Sequence, residues 1–339
     1  MTPLDGSRES AASTGDERDA RNVSGRAAFL SDALAGLGAT PKRLSPKYFY
    51  DREGSLLFDE ICELSEYYVT RTELSILEER SAEIAARLAE GGPCRVVEPG
   101  AGSGTKTRLL LRALGKGRCA AYVPVDIAGE HLEHTARQLR AEIPWLDVVP
   151  FAADFTAELP LPSAGAAART VVYFPGSTIG NFDPDEATRL LTRFRRAAGE
   201  NGLVLLGVDL KKDPSMLHAA YNDARGVTAA FNKNVLRRMN DELGADFDLD
   251  AFDHYAFYAP VPGRIEMHLV SKRRQEVHLD GQTFTFEHGE SLCTECSYKY
   301  DLARAERLGR AAGLVLTNTW LDDARRFAVL LFSVAPLES

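Results

Sequence analysis

From residue 95 onward, short apolar runs alternate with amphipathic ones. The apolar runs at 95–98, 120–125, 148–152, 169–174 and 203–208 have the length of strands, and helix-prone segments at 105–114, 131–142 and 183–199 lie between them. The last helix is the best signed. Asp183 can cap it, Pro184 can open it, Glu186 can complete a capping box and Gly199 can stop it, with Leu190, Leu191 and Phe194 on one face. Strands alternating with helices predict a parallel sheet covered on both sides. A helix over 302–312 and two strands at 314–319 and 326–334, joined by a polar turn at Asp322-Asp323, predict an antiparallel hairpin that closes this sheet.

Two stretches depart from the alternation. Asp213-Pro214 predicts the start of a helix with apolar positions at Leu217, Ala220, Tyr221, Ala224, Phe231 and Val235. Ile265, Met267 and Leu269 then alternate with Glu266 and His268, and strands follow at 276–279, 283–286 and 294–300, with an Asp280-Gly281 turn. That is a helix-plus-β unit inserted between strands of the main sheet. The stretch 42–90 reads as largely helical, with Leu77, Ile84 and Leu88 spaced for a helix lying on the sheet. Residues 1–25 are small, polar and charged, which predicts a disordered tail.

Composition narrows the function classes. The 339 residues carry 40 Lys and Arg against 49 Asp and Glu, a net charge of −9, which disfavours nucleic acid or an anionic membrane as partner. The one compact basic run, Lys272-Arg273-Arg274, reads as a solvated strand end or turn. No apolar run reaches the roughly 18–20 residues of a spanning helix, and the first residues hold no apolar signal core. Five scattered Cys fit a reducing, cytoplasmic setting. Cys293-x-x-Cys296 has no second ligand pair and the seven His form no ligating or triad-like spacing, so no metal is expected.

Candidate chemistry begins at Glu98-Pro99-Gly100-Ala101-Gly102-Ser103-Gly104, a glycine loop between a strand and a helix. Glycines there let a ligand approach the backbone, and the loop amides can bind its polar atoms. A dinucleotide fingerprint would require Gly at position 105, which is Thr, so a nicotinamide oxidoreductase is disfavoured. The spacing E-x-G-x-G-x-G instead resembles motif I of the class I S-adenosylmethionine methyltransferases. Asp126 and Asp154-Phe155 fall at the ends of the next two strands, where that resemblance implies contacts to the ribose hydroxyls and to the adenine. Lys106 opens the following helix, where an expected cofactor carboxylate would lie.

A closer resemblance runs over about 42–335. The segments Ser45-Pro46-Lys47-Tyr48-Phe49-Tyr50-Asp51, Gly54-Ser55-Leu56-Leu57-Phe58-Asp59 and Glu66-Tyr67-Tyr68-Val69-Thr70-Arg71-Thr72-Glu73 are similar to the N-terminal signature of the histidine Nα-methyltransferases. Gly176-Ser177-Thr178-Ile179-Gly180-Asn181-Phe182, Tyr221-Asn222-Asp223 and Thr294-Glu295-Cys296-Ser297 extend it. The resemblance implies an α/β fold: a class I methyltransferase (Rossmann-like) sheet with a C-terminal antiparallel hairpin, plus a second, α+β substrate-binding domain. The implied division is 26–72 with 211–298 for the substrate domain, and 73–210 with 299–339 for the methyltransferase domain. Gly100, Lys106, Asp126, Asp154 and Phe155 would bind S-adenosyl-L-methionine. Asn181 and Tyr221 would hold the substrate α-carboxylate, Tyr67 would contact the substrate, and Glu295 with Ser297 would bind its imidazole. Tyr50 would line the methyl-transfer side as the catalytic residue.

The implied reaction is trimethylation of L-histidine to hercynine for ergothioneine biosynthesis, by a monomer. The alternatives are another amino acid or an indole amine as acceptor, or a binding protein without catalysis. An extended 294–300 would place Glu295 and Ser297 on one face and Cys296 and Tyr298 on the other, so that an acceptor and a hydroxyl could hold both imidazole nitrogens. Two departures stand out: Pro99 replaces an aliphatic residue, and Val69 stands where the family has proline, which predicts a looser loop.

Overall fold

A computed structural model describes residues 25–335 apart from 103, 128, 164 and 166, together with the backbone alone of 130 and 131. The expected N-terminal tail therefore lies almost wholly outside the described residues. In chain order the elements begin with a helix over 25–38 (α1), β1 (Lys42–Arg43), α2 (Arg52–Glu63), α3 (Tyr68–Leu88), β2 (Cys94–Pro99), α4 (Thr105–Leu114), β3 (Cys119–Asp126) and α5 (Gly129–Glu142). They continue with β4 (Phe151–Ala152), β5 (Arg169–Phe174), α6 (Pro184–Ala198), β6 (Leu203–Asp209), α7 (Pro214–Tyr221) and α8 (Val227–Arg238). The last are β7 (Phe252–Ala259), β8 (Arg264–Ser271), β9 (Gln275–Leu279), β10 (Gln282–Phe286), β11 (Ser291–Tyr298), α9 (Leu302–Ala311), β12 (Leu314–Leu321) and β13 (Phe327–Val334).

The chain divides into two units. Among the described residues, the larger comprises 64–220, 258–265 and the stretch from 296 on, and the smaller the stretch up to 63, 221–257 and 266–295. In the larger unit a seven-stranded sheet runs in the order β12-β13-β6-β5-β2-β3-β4. The five strands from β6 to β4 are mutually parallel, and β13 and β12 add antiparallel to that edge. This is the Rossmann-like sheet with a closing hairpin that the sequence implied. The central strands β2 and β6 are buried at every position, as strands covered on both faces must be. Helices α6 and α9 pack on one face around Leu190, Leu191 and Phe194. Helix α3 packs against α4 and the strands of the hairpin edge, with Leu77, Ile84 and Leu88 fully buried. Asp183 and Glu186 close the expected capping box on α6.

The smaller unit holds α1, α2, α8, the β9–β10 hairpin and most of a four-stranded sheet ordered β1-β11-β8-β7. Along β8 every second residue is buried, the alternation read from Ile265, Met267 and Leu269. Three features differ from expectation. The helix starting at Pro214 does not run on to Val235 but stops at Tyr221 and restarts at Val227. Asp223 is the cause: its carboxylate accepts the amides of Val227 at 2.9 Å and Thr228 at 2.8 Å, capping a new helix. Strand β7 has no counterpart in the sequence reading, because its burial follows no simple alternation. The third parallel strand shrinks to Phe151–Ala152, leaving Asp154 two residues beyond its end.

Val69, expected in a loop, stands instead at the start of a helix. Val69 is buried in the first turn of α3, and the Arg71 guanidinium donates to the carbonyls of Leu64 and Ser65.

Phe194 tests how the helical layer is held. Its ring is fully buried and meets the Phe174 ring edge-on at 5.0 Å. Phe194→Ala should lower unfolding free energy by about 3–5 kcal/mol. A denaturant titration would show the midpoint moving with the slope preserved; an unchanged midpoint would contradict this packing.

Candidate active site

The parallel strands of the larger unit all end on one edge, at Pro99, Asp126, Ala152, Phe174 and Asp209. Sequence order reverses between β2 and β5, and the crevice outside such a reversal is where open α/β sheets bind ligands. The turn after β2 carries Gly100 at φ 68°, its amide donating to the carbonyl of Val125 at 2.8 Å. A Cβ on Gly100 would lie 3.3 Å from the Phe155 ring, while nothing lies within 4 Å of one on Gly102. The cradle is therefore open at Gly102 and bounded by an aromatic wall at Phe155, a shape suited to a flat, polar-edged group. S-adenosylmethionine, with its adenine and ribose, fits these residues.

The acids around the turn do different work. Glu98 is buried and turned inward, accepting the hydroxyls of Thr107 at 2.7 Å and of Tyr122. Burial raises its pKa, against those hydrogen bonds. It braces β2 against α4 and β3. Asp126 is half-buried at the end of β3. Asp154 is exposed and accepts the amide and hydroxyl of Thr156.

Lys106 pairs at 2.5 Å with Glu73, a fully buried carboxylate that also accepts the amide of Gly176 at 2.9 Å. Glu73 thus links α3, the start of α4 and the turn after β5. That turn leads through Ser177, in a left-handed conformation at φ 58°, to the half-buried Asn181. Gly180 is required there: a Cβ would come within 2.7 Å of the Tyr298 carbonyl.

A further buried carboxylate, Asp209, ends β6. It accepts the Tyr68 hydroxyl at 2.8 Å, pairs with Lys299 at 2.9 Å and also pairs with Lys212. Its backbone amide donates to Ser177 Oγ at 2.9 Å, and Lys299 donates to Ser297 Oγ at 3.0 Å. Burial would raise the Asp209 pKa, but the two ammonium groups outweigh it and hold it below 3.8. Burial pushes Lys212 down to about 8, opposed by Asp209. Tyr67 sits at the N-cap of α3, beside Tyr68. Neither Asp209, Lys212 nor Lys299 was singled out by the sequence reading, and Glu73 appeared only within a motif.

In the smaller unit, Tyr50, Tyr221 and Glu295 are brought within electrostatic reach of one another. Burial first, then the charge of Glu295, raises the Tyr50 phenol well above its usual value. The residue as a whole is nonetheless 45% exposed. The ring leans edge-on against Phe58 at 5.5 Å and Phe231 at 5.7 Å.

A chain of hydrogen bonds runs behind Tyr221 and Glu295. Thr294 Oγ1 donates to Asn232 Oδ1 at 2.6 Å, Asn232 Nδ2 donates to His254 Nδ1 at 2.9 Å, and His254 Nε2 then donates to the Tyr221 carbonyl at 2.8 Å. That order fixes the tautomer, and burial lowers the His254 pKa in favour of the neutral ring. Asn222 and Asp223 support the same corner, Asn222 through the backbone of Ala256 and Asp223 as the cap of α8.

The family model for histidine-specific, S-adenosylmethionine-dependent methyltransferases matches residues 29–334. The histidine N-alpha-methyltransferase of Mycobacterium tuberculosis (strain CDC 1551 / Oshkosh) is 41% identical over 317 residues, covering 91% of this chain and 95% of its own. The protein of the same name from Mycolicibacterium smegmatis is 41% identical over 308 residues, covering 90% and 94%. Ergothioneine biosynthesis protein 1 of Neurospora crassa is 29% identical over 83% of this chain and 32% of its own length.

Two variants probe the buried polar groups. A carboxylate with a depressed folded pKa stabilises the fold fully above its unfolded value and loses that contribution as pH falls towards the folded one. Wild-type stability should therefore fall more steeply than that of Asp209→Asn as pH drops below about 4; parallel curves from denaturant titrations across pH would count against the ion cluster. His254→Phe strands the Tyr221 carbonyl and the Asn232 amide, and should cost about 1–3 kcal/mol in the same assay.

Proposed function

The chain belongs to the histidine-specific, S-adenosylmethionine-dependent methyltransferases, and from that premise we propose that it trimethylates the α-amino group of free L-histidine, giving hercynine for ergothioneine biosynthesis. The observation that carries the choice of acceptor is the pair on β11: Glu295 and Ser297, 8% and 4% exposed, on a strand of a chain with this family match. A buried carboxylate and hydroxyl two residues apart suit a ring with two polar nitrogens and poorly suit an apolar indole face. Among the described residues, no helix is long and apolar enough to cross a membrane. We read the enzyme as a cytoplasmic monomer acting on a small molecule.

The roles follow the site. Gly100, Asp126, Asp154 and Phe155 are assigned the nucleoside part of S-adenosylmethionine, and Lys106 its amino-acid end. When bound, this group supplies a methyl on a sulfonium, an electrophile that needs only an unprotonated amine in line behind it. Asn181 and Tyr221 are assigned the α-carboxylate of histidine, Tyr67 a further contact, and Glu295 with Ser297 the imidazole. Holding both ends of the substrate fixes the amine between them, and positioning of this kind can be worth up to about 7–11 kcal/mol.

Tyr50 is assigned the methyl-transfer side. With its pKa raised, it keeps its proton at neutral pH and acts as a neutral hydroxyl that can accept a hydrogen bond from the amine and pass a proton on to water. The smaller unit, with the N-terminal segment, is read as the substrate-binding part.

Incubating the purified protein with L-histidine and S-adenosylmethionine should yield products carrying one, two and three added methyl groups by mass spectrometry. No methylated histidine, or faster methylation of tryptophan, would overturn the acceptor assignment. Glu295→Ala should lower kcat/KM for histidine about 10–100-fold, the worth of a charged hydrogen bond, while S-adenosylmethionine affinity stays the same.

A further inference from the structure

The less buried face of β8 carries Glu266 and His268, two residues apart. Their side chains are 16% and 14% exposed, largely dehydrated yet still reachable from solvent. Strand β11 runs beside β8 in the same sheet and brings Cys293 to them. A carboxylate oxygen of Glu266, a ring nitrogen of His268 and Cys293 Sγ all lie within 4.8 Å of one another. All three residues belong to the smaller unit, and none is assigned a part in holding S-adenosylmethionine or histidine. Carboxylate, imidazole and thiolate are the side-chain donors that zinc takes.

The surroundings suit a ligand role. His268 Nε2 faces Glu266 Oε2 at 3.1 Å, and Nδ1 lies 3.0 Å from Ser291 Oγ. A neutral ring that donates from Nδ1 to Ser291 turns the Nε2 lone pair towards the carboxylate. Two acceptors then face each other, and a cation between them removes the repulsion; an outer hydroxyl orients metal-binding imidazoles in this way. Phe257 stacks on the ring at 5.4 Å, and the Asn232 side chain donates to the His268 carbonyl at 3.1 Å, so ring and backbone are both held. Zinc bonds of about 2.0–2.3 Å in a tetrahedron place donor atoms about 3.3–3.6 Å apart. Closing from 4.8 Å takes a shift of about 1 Å, within reach of the Glu266 and Cys293 side-chain torsions.

We propose that Glu266, His268 and Cys293 form a site for one divalent cation of the zinc class, its fourth position left to water or a small ligand. Sulfur and imidazole in the donor set disfavour magnesium and calcium. Binding releases to solvent the Cys293 thiol proton and any proton shared between His268 and Glu266. The cation replaces hydrogen bonds that these side chains make without it, that of Cys293 Sγ to the Glu295 carbonyl at 3.8 Å among them. The Cys293-x-x-Cys296 spacing plays no part, because Cys296 packs against the core of the larger unit while Cys293 meets its partners across the smaller sheet. Donors drawn from two strands leave no spacing along the chain to announce them, which is why the sequence reading expected no metal.

The test is titration of the full-length protein with cobalt(II) chloride, after reduction, chelation and removal of the chelator. Cobalt reports thiolate ligation as a near-ultraviolet charge-transfer band and tetrahedral geometry as visible bands. The wild type should bind one equivalent with both signatures, and zinc chloride should displace it. Cys293→Ser should abolish the charge-transfer band, and Ser291→Ala should weaken binding about tenfold through loss of the orienting hydroxyl. Cys296→Ser should match the wild type. A wild type without the thiolate band, a band that survives in Cys293→Ser, or one lost in Cys296→Ser overturns the assignment. Should Cys293→Ser not fold, His268→Gln decides in its place: binding weakened at least about tenfold supports the site, and unchanged binding overturns it. No substrate is present in this titration, so either outcome leaves the histidine reading where it stood.

Discussion

The buried carboxylate of Asp209 is the interaction on which the residues of the larger unit proposed to hold the substrate depend. It ends β6 with no exposure and satisfies two ammonium groups and a phenol, from Lys212, Lys299 and Tyr68. Through its own amide it holds Ser177, and so the turn that ends at Asn181. Through Lys299 it reaches Ser297. Taking such charges out of water is expensive, and removing one partner of a buried pair costs about 3–5 kcal/mol because the remaining charge is stranded. The return on that cost is geometric. Three segments far apart in sequence, around Tyr68, Asp209 with Lys212, and Lys299, meet at one carboxylate, and the Asp209 amide ties in a fourth at Ser177, so their positions cannot drift independently.

Glu73 does the corresponding work nearer the glycine turn. It is equally buried, and it ties Lys106 at the start of α4 to the Gly176 amide after β5, on either side of the point where strand order reverses. Methyl transfer to an amine calls for little acid–base machinery, so a scaffold of this kind contributes chiefly through placement. In the smaller unit the same logic appears with neutral groups: the chain from Thr294 through Asn232 and His254 fixes the backbone of Tyr221 without burying a charge.

The sequence made the larger unit legible because its signals are local. Apolar runs flanked by amphipathic helices marked the parallel sheet, and Asp183, Pro184 and Glu186 marked the start of α6 within a residue. The glycine spacing marked the turn after β2. Legibility failed where the deciding contact is remote or competes with a local trend. The apolar spacing from Leu217 to Val235 suggested one helix, and the Asp223 cap overrode it. The Tyr68–Asp209 bond joins residues 141 apart, and no period along the chain announces such a pair. Glu98 shows the converse: its place in the glycine motif was legible, while its inward turn to Thr107 and Tyr122 was not. The roles proposed for Asn181, Tyr221, Glu295 and Ser297 rest on family resemblance, and their spacing alone would not have suggested them.

Calorimetric titration of Asp209→Asn with each ligand in turn tests what this carboxylate holds in place. S-adenosylmethionine should bind the variant with close to wild-type affinity, since Gly100, Asp126 and Phe155 lie at or beyond the ends of β2, β3 and β4, away from β6. L-histidine binding should weaken at least about tenfold, the loss of one well-placed charged contact. Histidine binding the folded variant as tightly as the wild type would contradict the claim that this carboxylate organises the substrate side.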